Sequence, residues 1–155
     1  MPNILLRTLT IDGVPNDTLG AGNYLNLDAD NNVEWGVERI SSDELAGNVP
    51  NNSAQLIDMK TINGIGWFIG RLRGNFASNS NGIRSLMAYK NSTSLSGINI
   101  PAANGGQTII TIPVIIYCGD ATTTFKARLW QNSGSALNYT NLYFEGAFIP
   151  KVGGG

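Results

Sequence analysis

From Ile65 onward, apolar and polar residues alternate with a period of two, in short runs separated by Gly and Asn. A period of two belongs to a strand with one buried face, because successive side chains of a pleated chain point to opposite sides. The clearest run spans 66–76. Phe68, Leu72 and Phe76 fall on one face with Gly70 and Gly74, and Trp67, Ile69, Arg71 and Arg73 fall on the other. Run 83–90 sets Leu86 and Ala88 against Ser85, Met87 and Tyr89. Run 108–118 is apolar on both faces, with Ile110, Ile112, Val114 and Ile116 opposed to Ile109, Ile115 and Tyr117. Pro113 lies inside it and lacks an N–H, which predicts a bulge, an edge position or a break into two strands. Run 123–131 turns Phe125, Ala127 and Leu129 one way and Lys126, Arg128 and Trp130 the other. The last run, 141–149, opposes Leu142, Phe144 and Phe148 to Tyr143, Glu145, Ala147 and Ile149.

The N-terminal third is less regular. Residues 5–11 alternate, and 23–27 and 33–40 read as strands. Residues 41–46 read as one helical turn, with Ser41 or Ser42 as its cap and Asp43 and Glu44 in its first turn. Many short strands with turn signals between them predict an all-β fold, a sandwich or barrel, in a single domain over 1–155. Within it, 1–60 holds N-terminal strands and a docking arm, 61–150 the core sandwich, and 151–155 a flexible Gly-rich tail.

Composition narrows the picture. A chain of 155 residues buries roughly 70% of its unfolded surface and so forms a core unaided. The one cysteine, Cys118, allows no internal disulfide and reads as a small buried hydrophobe at a strand end. Charged residues make up 14% of the chain, against about 25% in an average domain, so Asn, Ser, Thr and Gly must cover the surface. The net charge of −1 carries no nucleic-acid footprint. It is unevenly spread: residues 1–44 hold eight acids and two bases, residues 45–155 three acids and eight bases. Opposite signs in two parts of a chain suit head-to-tail subunit contacts, or pairing of the two parts within one subunit. No run is long enough to span a membrane, and the first residues do not form a signal peptide, which predicts synthesis in the cytoplasm.

Candidate chemistry is sparse. The absence of histidine removes Ser-His-Asp and Cys-His sites and His-ligated zinc, and one cysteine builds no thiolate cluster. No phosphate-cradling Gly-rich loop or dinucleotide fingerprint is present. Asp120 and Glu145 are the pair available for glycoside hydrolysis, but Asp120 reads as a turn residue and Glu145 as mid-strand. Residues 28–34 offer oxygen ligands at alternate positions, with Asp28, Asp30, Asn32 and Glu34. The loop lacks the glycine a calcium-binding loop needs at Val33 and has Arg39 where its closing Glu belongs, so it reads as an acidic turn. No catalytic residue, metal or cofactor is therefore expected. Trp67, Trp130 and Tyr143 sit opposite the inferred core and read as inter-sheet packing, a subunit interface or a sugar-stacking platform.

Five segments, in this order, carry a resemblance: Gly66–Arg73; the hairpin element Ile83–Asn91; the Cys118-Gly119-Asp120 turn after a long strand; Leu129-Trp130-Gln131-Asn132-Ser133-Gly134; and the closing strand Leu142–Ile149. Together they resemble the jelly-roll domain shared by complement-type heads and tumour-necrosis-factor-like ligands, and more closely its relatives in bacteriophage virion proteins. The resemblance covers about the last 90 residues and implies a jelly-roll β-sandwich that forms a homotrimer. Trp67, Ile69, Tyr89, Ile115, Tyr117, Tyr143 and Ile149 are then the candidate interface residues. It also implies a virion location and a capsid decoration or cement role, with the major capsid protein as partner and no nucleic acid or membrane. The alternative is a receptor-binding tip that grips host glycan through loops 78–82, 91–97 and 131–135. Capsid-docking or ligand contacts would come from Asp28, Asp30, Asn79, Asn81, Trp130 and Asn132.

Overall fold

The alternating runs form strands whose inward residues meet across two sheets. In a computed structural model, which describes residues 38–151, all regular structure is β-strand. The strands are β1 (Glu38–Ser41), β2 (Leu45–Val49), β3 (Gln55–Asn63), β4 (Gly66–Phe76), β5 (Ile83–Lys90), β6 (Thr93–Pro101), β7 (Thr108–Cys118), β8 (Thr122–Gln131) and β9 (Leu137–Pro150). One sheet runs β1-β9-β4-β7, with β2 pairing a second stretch of β9, and the other runs β3-β8-β5-β6. The pairings β5–β6, β4–β7, β3–β8 and β2–β9 are nested and all antiparallel. The chain is thus one long hairpin, closed at β5–β6 and wound into two facing sheets. This is the jelly-roll form of the β-sandwich.

The core lies between the sheets. Phe68 and Phe144 come from one sheet and Phe125 from the other. Ring centroids are 4.7 Å apart for Phe68–Phe125 and 5.3 Å for Phe125–Phe144, the tilted packing aromatic quadrupoles favour. Leu72, Phe76, Leu86, Ala88, Leu129 and Leu142 are buried around them. Every inward side chain named above for runs 66–76, 108–118, 123–131 and 141–149 is buried or packed against the core, and of the two inward glycines Gly74 is buried and Gly70 half-buried. Pro113 takes the edge option. It lies in β7, which among the described residues pairs only with β4 at the sheet margin, and the register runs through it unbroken opposite Arg71.

Several expectations are corrected. Residues 41–46 form no helical turn: Ser41 ends β1 and Leu45 opens β2. The Ser42 Oγ accepts from the Phe144 N–H at 2.9 Å, and the Ser42 N–H donates to the Phe144 carbonyl at 2.8 Å. The expected cap thus bridges the gap between two edge strands along β9, and pairing with β9 outweighs local helix propensity. Residues 91–97 are not a loop, because only Asn91 and Ser92 turn before β6 begins. Asn91 adopts φ 53°, and its Oδ1 accepts from the Thr124 N–H at 2.9 Å, tying the hairpin to β8. The alternation predicts none of strands β2, β3 and β6. The stretches 5–11, 23–27 and 33–37, and the acidic loop with Asp28 and Asp30, lie outside the described residues.

Candidate interaction surface

The outward face of β9, β4 and β7 is built row by row. Trp67 stands between Tyr117 on β7 and Ile149 on β9, and Ile69 between Ile115 and Ala147. The next rows are polar: Arg71 between Pro113 and Glu145, then Arg73 between Thr111 and Tyr143. The alternation that buries Phe68 and Leu72 forces Trp67, Ile69, Arg71 and Arg73 onto one outward stripe. Ile115 is 67% exposed, Trp67 49% and Ile69 45%. The Trp67 and Tyr117 rings pack on each other with centroids 5.5 Å apart. A contiguous apolar platform therefore covers one end of the sheet. Single exposed hydrophobes are ordinary on a soluble surface, but adjoining rows of them mark an interaction site.

The platform gives way to charge. The Arg71 Nε donates to Glu145 Oε1 at 2.6 Å, and this bond, with the carboxylate's charge, holds the Arg71 guanidinium even more firmly protonated than usual. Arg39, on β1 opposite Ala147, borders the same face. Between Arg39, Arg71 and Glu145 lies a shallow open depression of about 550 Å³, floored by Gly70, Gly146 and Ala147. Among the described residues, Arg39, Arg71 and Arg73 share this half of the face with one acid, Glu145, and give it a net positive charge.

Of the seven candidate interface residues, Trp67, Ile69, Ile115, Tyr117 and Ile149 come together in the platform. Tyr143 lies on the same face beside Arg73. Tyr89 lies apart, on β5 in the other sheet, opposite Lys126 and Ser94. Ile109, 52% exposed at the far end of β7 opposite Asn75, lies beyond the polar rows and apart from the platform. The doubly apolar pattern of 108–118 sets it on the outward face.

A second feature occupies one end of the sandwich. Arg84 is fully buried, and its Nη1 and Nη2 donate to the carbonyls of Asn81 at 2.8 Å and Asn79 at 2.9 Å. Burial lowers the Arg84 pKa from its ordinary value, and those carbonyls hold the charge in place. The buried Gln131 amide donates to the carbonyls of Val49 at 3.0 Å and Ser135 at 2.8 Å. Asn132 Oδ1 accepts from the Ile83 N–H at 2.6 Å. The loops 77–82 and 132–136 are thereby locked side by side, bringing together Asn79, Asn81 and Asn132, with half-buried Trp130 on the adjoining strand. Arg84 is in phase with Leu86 and Ala88, so alternation alone sets it on the inward face, but nothing local shows how a buried charge is satisfied there. Its partners are backbone carbonyls that only the folded loop presents.

Asp120 is an exposed turn residue beyond Cys118, and Glu145 lies five residues of strand inside the Gly66–Cys118 row. At about 3.3 Å per residue they stand roughly 16 Å or more apart, beyond the reach of two carboxylates that share one glycosidic bond. Among the described residues, no three of Cys, Asp and Glu gather as metal ligands.

No protein-family model matches the chain, and no curated protein sequence does. Among solved structures, dimeric latent PorU from Porphyromonas gingivalis is similar over 85% of this chain and 14% of its own, at 7% identity and TM-score 0.53. Infectious bursal disease virus, Gx strain, is similar over 76% of this chain and 32% of its own, at 14% identity and TM-score 0.49. The C-terminal CBM6 of LamC from Zobellia galactanivorans is similar over 72% of this chain and 99% of its own, at 15% identity and TM-score 0.41. This chain therefore spans about a third of the viral chain and a seventh of PorU. At these identities the likeness speaks to fold alone; the two facing sheets and the nested antiparallel pairing are what make the described residues an all-β jelly-roll sandwich.

Proposed function

We propose that this chain is a structural subunit that works by assembly rather than catalysis: a bacteriophage virion protein that forms a homotrimer and decorates the capsid shell. The observation that carries the reading is the apolar platform of Trp67, Ile69, Ile115, Tyr117 and Ile149 on an outer sheet face. An exposed patch of this kind lowers the free energy of the chain most when another protein surface covers it. The virion location and the capsid partner rest on the resemblance of residues 66–149 described above. The chain's lack of histidine and the separation of Asp120 from Glu145 agree with a role without catalysis.

Sedimentation at micromolar concentration tests the reading. The wild-type chain is expected as a trimer, and Ile115→Arg, which sets a charge at the most exposed residue of the platform, as a single folded subunit. A wild-type chain that sediments as a monomer overturns the proposal.

One observation favours a second reading, a receptor-binding tip for host glycan. Arg84 and Gln131 hold loops 77–82 and 132–136 as one rigid edge that presents amide and hydroxyl groups near Trp130. Binding of the purified protein to a glycan array, abolished by Trp130→Ala, supports the tip. Binding to stripped capsids with a silent array supports decoration.

A further inference from the structure

We propose that residues 1–37 of one subunit lie across the outward face of β9, β4 and β7 of the next subunit, as an acidic arm on an apolar and cationic platform. This rests on the assembly reading and names the surface that covers the platform.

The entry point of the chain is the first argument. β1 begins at Glu38 opposite Phe148 and runs antiparallel to β9. The start of β1 therefore lies at the end of the sheet that carries Ile149, Trp67 and Tyr117, and residues 1–37 precede it in the chain. The second is charge. Residues 1–37 hold five acids, Asp12, Asp17, Asp28, Asp30 and Glu34, against the single base Arg7. The platform's polar half holds Arg39, Arg71 and Arg73 against Glu145. The same arm carries Leu5, Leu9, Ile11, Leu25 and Leu27, which suit the apolar half. The third is length. Crossing from β1 to β7 spans three strand spacings, roughly 14 Å, which about five extended residues cover, so 37 residues leave ample chain to reach a neighbour.

Symmetry directs the arm to the next subunit rather than to its own. A threefold ring joins two different patches at every interface, whereas a face meeting its own copy makes a twofold dimer. A face-to-face dimer here would also set Arg71 and Arg73 of two copies against each other. The arm, opposite in charge and attached beside the platform, is the second patch that a ring needs.

The test places a photo-crosslinker, benzoylphenylalanine, at Ile115 in the full chain. The expected product has twice the subunit mass and joins position 115 to a peptide within residues 1–37. Changing the five arm acids to amides (D12N, D17N, D28N, D30N and E34Q together) should reduce its yield several-fold at low salt, since screening weakens such a contact. A link to residues 1–37 in a product of single-subunit mass overturns exchange between subunits. A link between two platforms, or no link in a chain that sediments as a trimer, overturns the arm but leaves the assembly reading standing. A wild-type chain that sediments as a monomer removes both.

Discussion

Gly70→Ala is expected to destabilise the fold far more than Gly74→Ala, although both glycines lie on the inward face of β4. A Cβ at Gly70 would stand 2.7 Å from Phe68 Cζ and 2.8 Å from Gly146 Cα, and would also press on the Glu145 carbonyl oxygen. Carbon atoms rest about 3.5–4.0 Å apart, so two contacts fall short by roughly an ångström. Two of the three obstacles are backbone of β9, paired in register with β4 at Gly70–Gly146. Relief requires the two strands to part, which strains the ladder, or Phe68 to leave its place against Phe125. Overpacking of this kind costs about 1–3 kcal/mol, and a weakened ladder hydrogen bond adds about 1 kcal/mol. The reduced entropy of the unfolded chain offsets about 0.4–1 kcal/mol. The net loss is centred on about 2 kcal/mol, within a range of about 1–4 kcal/mol.

At Gly74 the nearest atoms are Leu142 Cδ1 at 3.1 Å and Leu86 Cδ2 at 3.5 Å, the tips of side chains that can shift a few tenths of an ångström. There the entropic gain cancels much of the cost, and the change should stay within about 1 kcal/mol. For a chain of this size each kcal/mol moves Tm by about 2–4 °C. At a loss of about 2 kcal/mol, Gly70→Ala should then lower it by roughly 4–8 °C and Gly74→Ala by no more than about 4 °C. Urea unfolding followed by tryptophan fluorescence, with equal m values, gives the comparison. Equal losses for the two variants, or a neutral Gly70→Ala, would refute the close approach of β4 and β9 over the Phe68 ring.

Arg84→Met keeps the buried volume but releases the carbonyls of Asn79 and Asn81. It should cost about 1–3 kcal/mol and speed amide exchange in residues 77–83, while exchange in β4 and β7 keeps its wild-type order; unchanged exchange in that loop would contradict its anchoring role. Burial pushes the Cys118 thiol up from its ordinary value of 9.0, so the folded chain keeps a proton that the unfolded chain gives up. The sign follows from linkage: this contribution is complete below the ordinary thiol value and is lost as pH rises through the folded one. Tyr139, raised by burial from 10.0, adds the same trend at higher pH. Urea midpoints measured between about pH 8 and pH 10 should therefore fall less steeply for Cys118→Ala than for the wild type, and parallel slopes would refute the thiol's part.

The strands that were legible share one property: a face buried along its whole length. β4, β7, β8 and the second half of β9 alternate without a break, and their inward residues could be named in advance. The strands that were missed break that condition. In β3 an extra residue between Asp58 and Lys60 shifts the phase, so Ile57 and Met59 turn inward at odd positions and Ile62 at an even one. In β9, Asn141 with φ 51° marks a similar bulge: Leu137 and Tyr139 are buried before it, Leu142 and Phe144 after it. β6 is an edge strand with mostly exposed residues, and β2 buries only Val49 well. Neither a bulge nor an edge leaves an uninterrupted period of two.

By itself the order of residues determined the fold class, the inward face of each regular strand and the absence of histidine chemistry, because all three depend on identity and spacing along the chain. Whether outward residues meet was decided elsewhere. Trp67, Tyr117 and Ile149 are separated by tens of residues and become one surface only because β4 pairs with both β7 and β9. The same pairing leaves Tyr89 on the opposite sheet, and loop closure buries Arg84 among carbonyls no local pattern predicts. Pairing partners are chosen by the winding of the whole chain, and a surface exists only after that choice is made.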